Sequence, residues 1–314
     1  RIIKWSRRII MSEFRIDQIK NQDTSTGLDV AGITTFTGTS GIVMPSGTMH
    51  ERSTQGILGG VSKQNLFLYH DPGLSFSSGL LTDLSGNDLH MRIVGPSHTL
   101  AGTDNRTSYI TFDGSDDYAR LKTNQNPQAL TSFPRSGNVT FGITLKIDTF
   151  AHVRPFVNRW SGVKQFRFYM FNSPTGNPGG ANVEYAGMQL YTSNGIAKVV
   201  SYNDKFTNIS TTPDYHFTFT HNAETGETLA YRDAKENTIQ LSGSQYTTAI
   251  TSGSSGGMRT TTDSDLDIGI NQSYDPDRFG NFRLYNLYMY DRVLSGSEIK
   301  NIHNSFVDRG YNFG

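Results

Sequence analysis

The 314-residue chain has no cysteine, so disulfides, thiolate nucleophiles and Cys-ligated zinc have no part in its stability or chemistry. Charge is sparse as well: 18% of residues are charged, and 28 Lys and Arg balance 28 Asp and Glu. A chain without net charge has no global positive field to gather it on nucleic acid or anionic lipid, so nucleic-acid binding is not expected. Long apolar runs are missing. The opening stretch, Arg1 to Ile10, is basic and apolar, but its apolar runs are two residues long. That is too short for a signal-peptide core or a membrane span, and membrane insertion is not expected. The eight histidines never fall at H-x-x-x-H or H-E-x-x-H spacing, which leaves transition-metal sites without support. Nor does any Gly-rich loop stand between a strand and a helix as a phosphate cradle.

What the chain does have is glycine, 32 residues of it, with Ser, Thr and Asn crowded between short apolar runs, the composition of many strands joined by turns. Two regimes follow a short start. Residues 1–10 read as upstream sequence translated in frame, with Met11 as the native beginning. Residues 11–56 are polar and turn-rich, with too little apolar surface to offset their ordering entropy alone, and read as an extended attachment or oligomerisation segment. Residues 57–314 are dense in strand-like segments, among them Leu66 to His70, Tyr109 to Phe112, Val139 to Ile147, Phe166 to Phe171, Met188 to Tyr191 and Phe282 to Tyr290. In Tyr215 to Thr220 the aromatic residues Tyr215, Phe217 and Phe219 share one face, and His216, Thr218 and Thr220 the other. Strands without an intervening helical period predict an all-β fold, an antiparallel sandwich or barrel. One helix is predicted near the end. Ser295 stands at its N-cap with Glu298 three residues on, and Ile299, Ile302, His303 and Phe306 follow at helical spacing.

Four ordered motifs carry a resemblance. They are Leu66-Phe67-Leu68-Tyr69-His70-Asp71 with Asp83-Leu84-Ser85-Gly86-Asn87; Phe112-Asp113-Gly114-Ser115-Asp116-Asp117-Tyr118; Tyr215 to Thr220 with Thr225 to Asp233; and a closing set. The closing set is Ile268-Gly269, Phe279-Gly280-Asn281-Phe282, Tyr290-Asp291-Arg292-Val293-Leu294-Ser295 and Glu298-Ile299. Together they resemble the laminin-G-like, concanavalin A-like jelly roll over roughly residues 62–312, with Leu81 where the family usually has an aromatic and Tyr215 where it commonly has Trp. Met11 to Ile19, Gly27 to Gly38 and Pro45 to Thr48 look like the starts of virion proteins of marine tailed phages. The resemblance implies a β-sandwich with a short C-terminal helix, on a tail fibre or other surface appendage at the virion surface. Its implied partners are a host surface glycan, other virion proteins and further copies of itself as a homotrimer. Alternatives are a capsid-decorating or architectural protein without a soluble ligand, a secreted carbohydrate-binding module and a glycosidase.

Candidate sites follow. Calcium, which many such domains bind at a rim, would use Asp71, Asp83, Asp113, Asp116 and Asp117. A glycan would use amides, charged groups and aromatic faces on loops: Asn172, Asn177, Asn182 and Tyr185, or Tyr274, Asp275, Asp277 and Arg278. Asp263, Asp265 and Asp267 alternate as glycosidase carboxylates do. Asp is one methylene shorter than the Glu used there, and the same alternation suits a solvated strand face, so no catalytic residue is assigned.

Overall fold

Alternation sets the architecture. In a computed structural model, residues 58–74, 76–77, 79–95, 100–101, 108–122, 130, 132–148, 155–159, 165–171, 185–193, 197–202, 213–236, 238–240, 256–261, 265–270 and 279–313 are described. In chain order their strands are β1 (Leu66–His70), β2 (Phe76–Ser77), β3 (Leu80–Leu81), β4 (Met91–Val94), β5 (Leu100–Ala101), β6 (Tyr109–Asp113), β7 (Tyr118–Leu121), β8 (Val139–Ile147) and β9 (Pro155–Arg159). There follow β10 (Phe166–Phe171), β11 (Tyr185–Tyr191), β12 (Ala197–Tyr202), β13 (Tyr215–His221), β14 (Thr228–Arg232), β15 (Lys235–Glu236), β16 (Thr238–Gln240), β17 (Leu266–Ile268) and β18 (Asn281–Tyr290), before helix α1 (Gly296–Asp308).

The strands form two antiparallel sheets. One has eight strands in the order β15-β14-β13-β8-β18-β6-β5, with β1 also on β18; the other has ten, in the order β16-β12-β11-β10-β9-β17-β7-β4-β3-β2. The chain leaves one sheet for the other after β1, β4, β6, β7, β8, β12, β15 and β17, so non-adjacent segments become neighbours and the sandwich closes. Inward residues of both sheets form one core. Phe156 of β9 meets Phe282 of β18 edge-on at 5.1 Å, and Phe168 of β10 meets Phe217 of β13 at 5.6 Å. Leu81 and Tyr215 both lie in this core. The fold is therefore the expected antiparallel β-sandwich of jelly-roll type, with one short C-terminal helix.

A second apolar cluster covers the outer face of the eight-stranded sheet. Tyr285, Tyr288 and Tyr290 of β18 receive Ile299, Ile302 and Phe306 of α1. The helix begins as its sequence predicts. The Ser295 side chain accepts from the Glu298 backbone N–H, and the Glu298 carboxylate accepts from the Ser295 N–H. Arg292 clasps that carboxylate at 2.7 and 3.1 Å, and this contact, above burial, holds the Glu298 carboxyl down at about 2. Thr140 of β8 donates to the Arg292 carbonyl at 2.8 Å and accepts from the Leu294 N–H at 2.9 Å. The closing motif is thus a device for turning strand β18 into a docked helix.

Candidate functional site on the ten-stranded sheet and its rim

The β6–β7 turn joins the two sheets at a rim, and its motif gives it shape. Asp113 Oδ1 accepts from the Ser115 N–H at 2.8 Å, while Asp117 Oδ2 accepts from the Asp113 N–H at 3.2 Å. Gly95, at φ +129°, lies so close that a Cβ there would strike the Asp117 side chain and Cα; glycine suits both the angle and the approach. One carboxylate oxygen each from Asp113, Asp116 and Asp117 lies within 4.8 Å of the others, with Asp117 buried. An all-oxygen set of this kind suits a hard cation.

The other two calcium candidates stand elsewhere, and their oxygens are taken. Asp71 accepts from Gly73 N–H and Arg309 Nη2 on Oδ1, and from Tyr69 Oη and Arg309 Nη1 on Oδ2, at 2.6 to 3.2 Å. Asp83 accepts from Tyr69 and Ser85 N–H on one oxygen, and from Ser85 Oγ and Leu89 N–H on the other, at 2.7 to 3.1 Å. A carboxylate offers about four lone-pair sites. Both are filled by protein donors, so Asp71 ties the C-terminal Arg309 to β1 and Asp83 organises the D-L-S-G-N turn. The calcium expectation narrows to the rim three.

Beside the rim, the outer face of the ten-stranded sheet carries a transverse polar row. Arg92 of β4 faces Arg120 of β7, which faces Asp267 of β17, then Asn158 of β9, Arg167 of β10 and Gln189 of β11. Their sequence neighbours Ile93, Ala119, Leu266, Ile268, Val157, Phe168 and Met188 point into the core, which is why polar residues in register reach the outside. Arg120 grips Asp267 through Nε at 2.6 Å and Nη2 at 3.1 Å, and Asp265 Oδ2 lies 3.8 Å from the same Nε. Burial pushes the Asp267 carboxyl up to about 6 against the pull of Arg120. Arg167 donates to Gln189 Oε1 at 2.8 Å and lies over the Tyr169 ring at 4.2 Å. Asn158 donates through Nδ2 to the Ile270 carbonyl.

The row runs from open to closed. Arg92 is exposed and Arg120 partly so, whereas Asn158, Arg167 and Gln189 are buried. Around its open end stand Leu80, Val94, Tyr118 and Asp265, all half-buried, with the Arg120 guanidinium 4.9 Å from the Tyr118 ring centre. An apolar and aromatic shoulder beside charged donors and acceptors can pack a sugar's C–H face while bonding its hydroxyls. The sequence reading did not pick out this row, because it is assembled from four segments, 80–94, 118–120, 158–189 and 265–267. Among the glycan candidates, Tyr185 opens β11, whereas Asn172, Asn177, Asn182, Tyr274, Asp275, Asp277 and Arg278 lie outside the described residues, as do Asp263 and the segment 11–56.

No family model matches the chain, and no curated protein matches it. Solved structures do. The binding domain of botulinum neurotoxin DC in complex with rat synaptotagmin II superposes with TM-score 0.54 at 12% identity, over 78% of this chain and 52% of that one. The binding domain of Paraclostridial Mosquitocidal Protein 1 gives 0.53 at 16%, over 78% and 53%. A structure of botulinum neurotoxin type C, whose cell entry is described as dependent upon interaction with two ganglioside molecules, gives 0.51 at 12%, over 78% and 52%. This chain spans about half the length of those it matches. At such identities the likeness establishes the fold alone: a β-sandwich shared with toxin binding domains.

Proposed function

We propose that this chain is a non-catalytic glycan-binding module carried at the virion surface of a phage, on a tail fibre or another appendage. The observation that carries the reading is the open end of the polar row. There Arg92, Arg120 and Asp265 stand beside Leu80, Val94 and Tyr118 on one sheet face. Support from likeness is of the same kind: among structures of similar fold, the binding domain of botulinum neurotoxin DC is in complex with SialylT, and cell entry of botulinum neurotoxin type C is dependent upon interaction with two ganglioside molecules. A fold alone does not assign a ligand, so the sheet face has to.

The catalytic alternative fares worse on chemistry. A glycosidase needs one carboxyl free to give a proton and another to attack or activate water. Asp267 is instead clamped in a two-point contact with Arg120, and Asp265 shares the same guanidinium. At the rim, Asp113, Asp116 and Asp117 would hold calcium, which would stiffen the β6–β7 turn next to Tyr118. A homotrimer built through residues 11–56 would present several such faces together, and multivalency would multiply weak single-site binding.

A glycan array probed with the full chain tests the reading, with a reducing-sugar assay on every glycan that binds. Binding without hydrolysis, weakened at least tenfold by Tyr118→Ala, is the result expected. An array with no binder above background in the presence of calcium would remove the proposal, and the architectural reading would take its place.

A further inference from the structure

The opposite face of the molecule holds a buried polar row with no part in glycan recognition. Asn286 of β18 faces Thr144 of β8, which faces His216 of β13, and none of the three is exposed to solvent. Asn286 Oδ1 and Nδ2, Thr144 Oγ1 and His216 Nδ1 have no hydrogen-bond partner among the described residues. Unpaired buried groups like these destabilise the fold that holds them, so this is a weak seam. The remaining His216 nitrogen, Nε2, lies 2.9 Å from Tyr288 Oη and 3.2 Å from Thr218 Oγ1.

Helix α1 closes over this seam. The ring of His303 stacks on that of His216, with centroids 5.6 Å apart and planes 6° from parallel, and Phe306 meets His216 edge-on at 5.2 Å. Among the described residues His303 Nδ1 has no partner either, and its ring packs against Phe313 at 4.5 Å.

The charged and titratable groups around the pair offer no counter-ion. From β15, Lys235 adds positive charge that acts on His303. At the β14–β15 turn, Asp233 accepts from the backbone N–H of His216 at 3.0 Å and lies 3.4 Å from Arg232. From β18 come the phenols of Tyr288 and Tyr285. The latter donates to Asp214, whose second oxygen accepts from the Asn312 N–H. Arg309, at the helix end, is paired with Asp71. Among the described residues, no carboxylate reaches ion-pair distance of either imidazole.

We infer that α1 is an acid-released clasp: protonating the stacked His216 and His303 sets like charges face to face, the first fully buried and the second half-buried, and the helix lifts from the sheet. Lifting it uncovers Tyr285, Tyr288 and Tyr290 as an apolar surface. Burial, more than any neighbouring charge, depresses both imidazoles, His216 the more. The sign follows. With the helix docked the rings stay neutral; with it lifted they titrate near an ordinary value of about 6.5. Docking is therefore at full strength above that pH and weakens as pH falls towards the depressed docked values, about tenfold per pH unit for each histidine that stays neutral in place.

Hydrogen exchange on the full chain, corrected for the intrinsic pH dependence of exchange, tests this between pH 7 and 4.5. Amides of α1 should lose on the order of a hundredfold in protection for each histidine that stays neutral in place, while those of β10 hold. His303→Phe keeps an aromatic stack that cannot titrate and His216→Gln removes the buried ring, so each should lessen the response and the double variant should flatten it. Protection in α1 that is indifferent to acid, that falls together with β10, or that falls as steeply in the double variant would overturn the inference.

Discussion

Gly142 tests the packing beneath helix α1 with a single methyl group. It lies on β8 directly opposite Tyr288 of β18 and Thr218 of β13, and the phenol ring of Tyr288 crosses over it. A Cβ at this position would fall against Cζ, Cε1 and Oη of that ring. To regain ordinary van der Waals separation the ring would have to move by roughly 2 Å. That movement breaks the contacts of Tyr288 Oη with His216 at 2.9 Å and Thr218 at 3.0 Å, all in fully buried surroundings. Overpacking costs about 1–3 kcal/mol, and each lost buried hydrogen bond about 1 kcal/mol. Gly→Ala in a strand interior would otherwise gain about 0.5–1 kcal/mol, so the net loss for Gly142→Ala is about 3 kcal/mol. Urea unfolding measures it, and a double-mutant cycle with Tyr288→Ala isolates the cause. On the Tyr288→Ala background the methyl has room and should cost nothing or stabilise, a coupling of about 3 kcal/mol. A loss below about 1 kcal/mol in the parent, or the same loss on both backgrounds, would refute the reasoning.

Three further outcomes follow from the charged contacts. Asp71→Ala leaves Arg309 in a largely buried position without its carboxylate and should cost about 3–5 kcal/mol by denaturant unfolding. Ser295→Ala removes the capping side chain of α1 and should cost about 1 kcal/mol, with the loss confined in hydrogen exchange to the helix. Asp267 binds its proton more tightly folded than unfolded, at about 6 against 3.8. Its contribution to stability is therefore present below the unfolded value and lost as pH rises through about 6. Arg120→Gln should deepen that loss, so the variant will be more stable at pH 5 than at pH 7.5, and equal unfolding midpoints at the two pH values would contradict the assignment.

Legibility in the sequence followed the range of the physics. The face alternation of Tyr215 to Thr220 is a local property, and the strand has that alternation: Tyr215, Phe217 and Phe219 in the core, His216 and Thr218 beneath α1. Ser295 and Glu298 form a capping box three residues apart, within reach of pattern reading. The partners of Asp71 and Asp83 were not legible, because an Asp in a turn looks the same whether it awaits a cation or is filled by its neighbours. Only the structure brings Arg309 to Asp71 across 238 residues. The row from Arg92 to Gln189 was out of reach for a related reason. Each residue is one polar position in an ordinary alternating strand, and the register that aligns them comes from pairing across the sheet. His216 and His303 have no sequence spacing that suggests a pair, and meet because α1 folds back over β13.

The most direct test of the binding account is a crystal structure of the full chain with its tightest array ligand. The sugar should lie on the outer face of the ten-stranded sheet, with Tyr118 against its ring and Arg92, Arg120 or Asp265 bonded to its hydroxyls. A sugar seated instead on the eight-stranded sheet or along α1, with Arg92 and Tyr118 untouched, would contradict it.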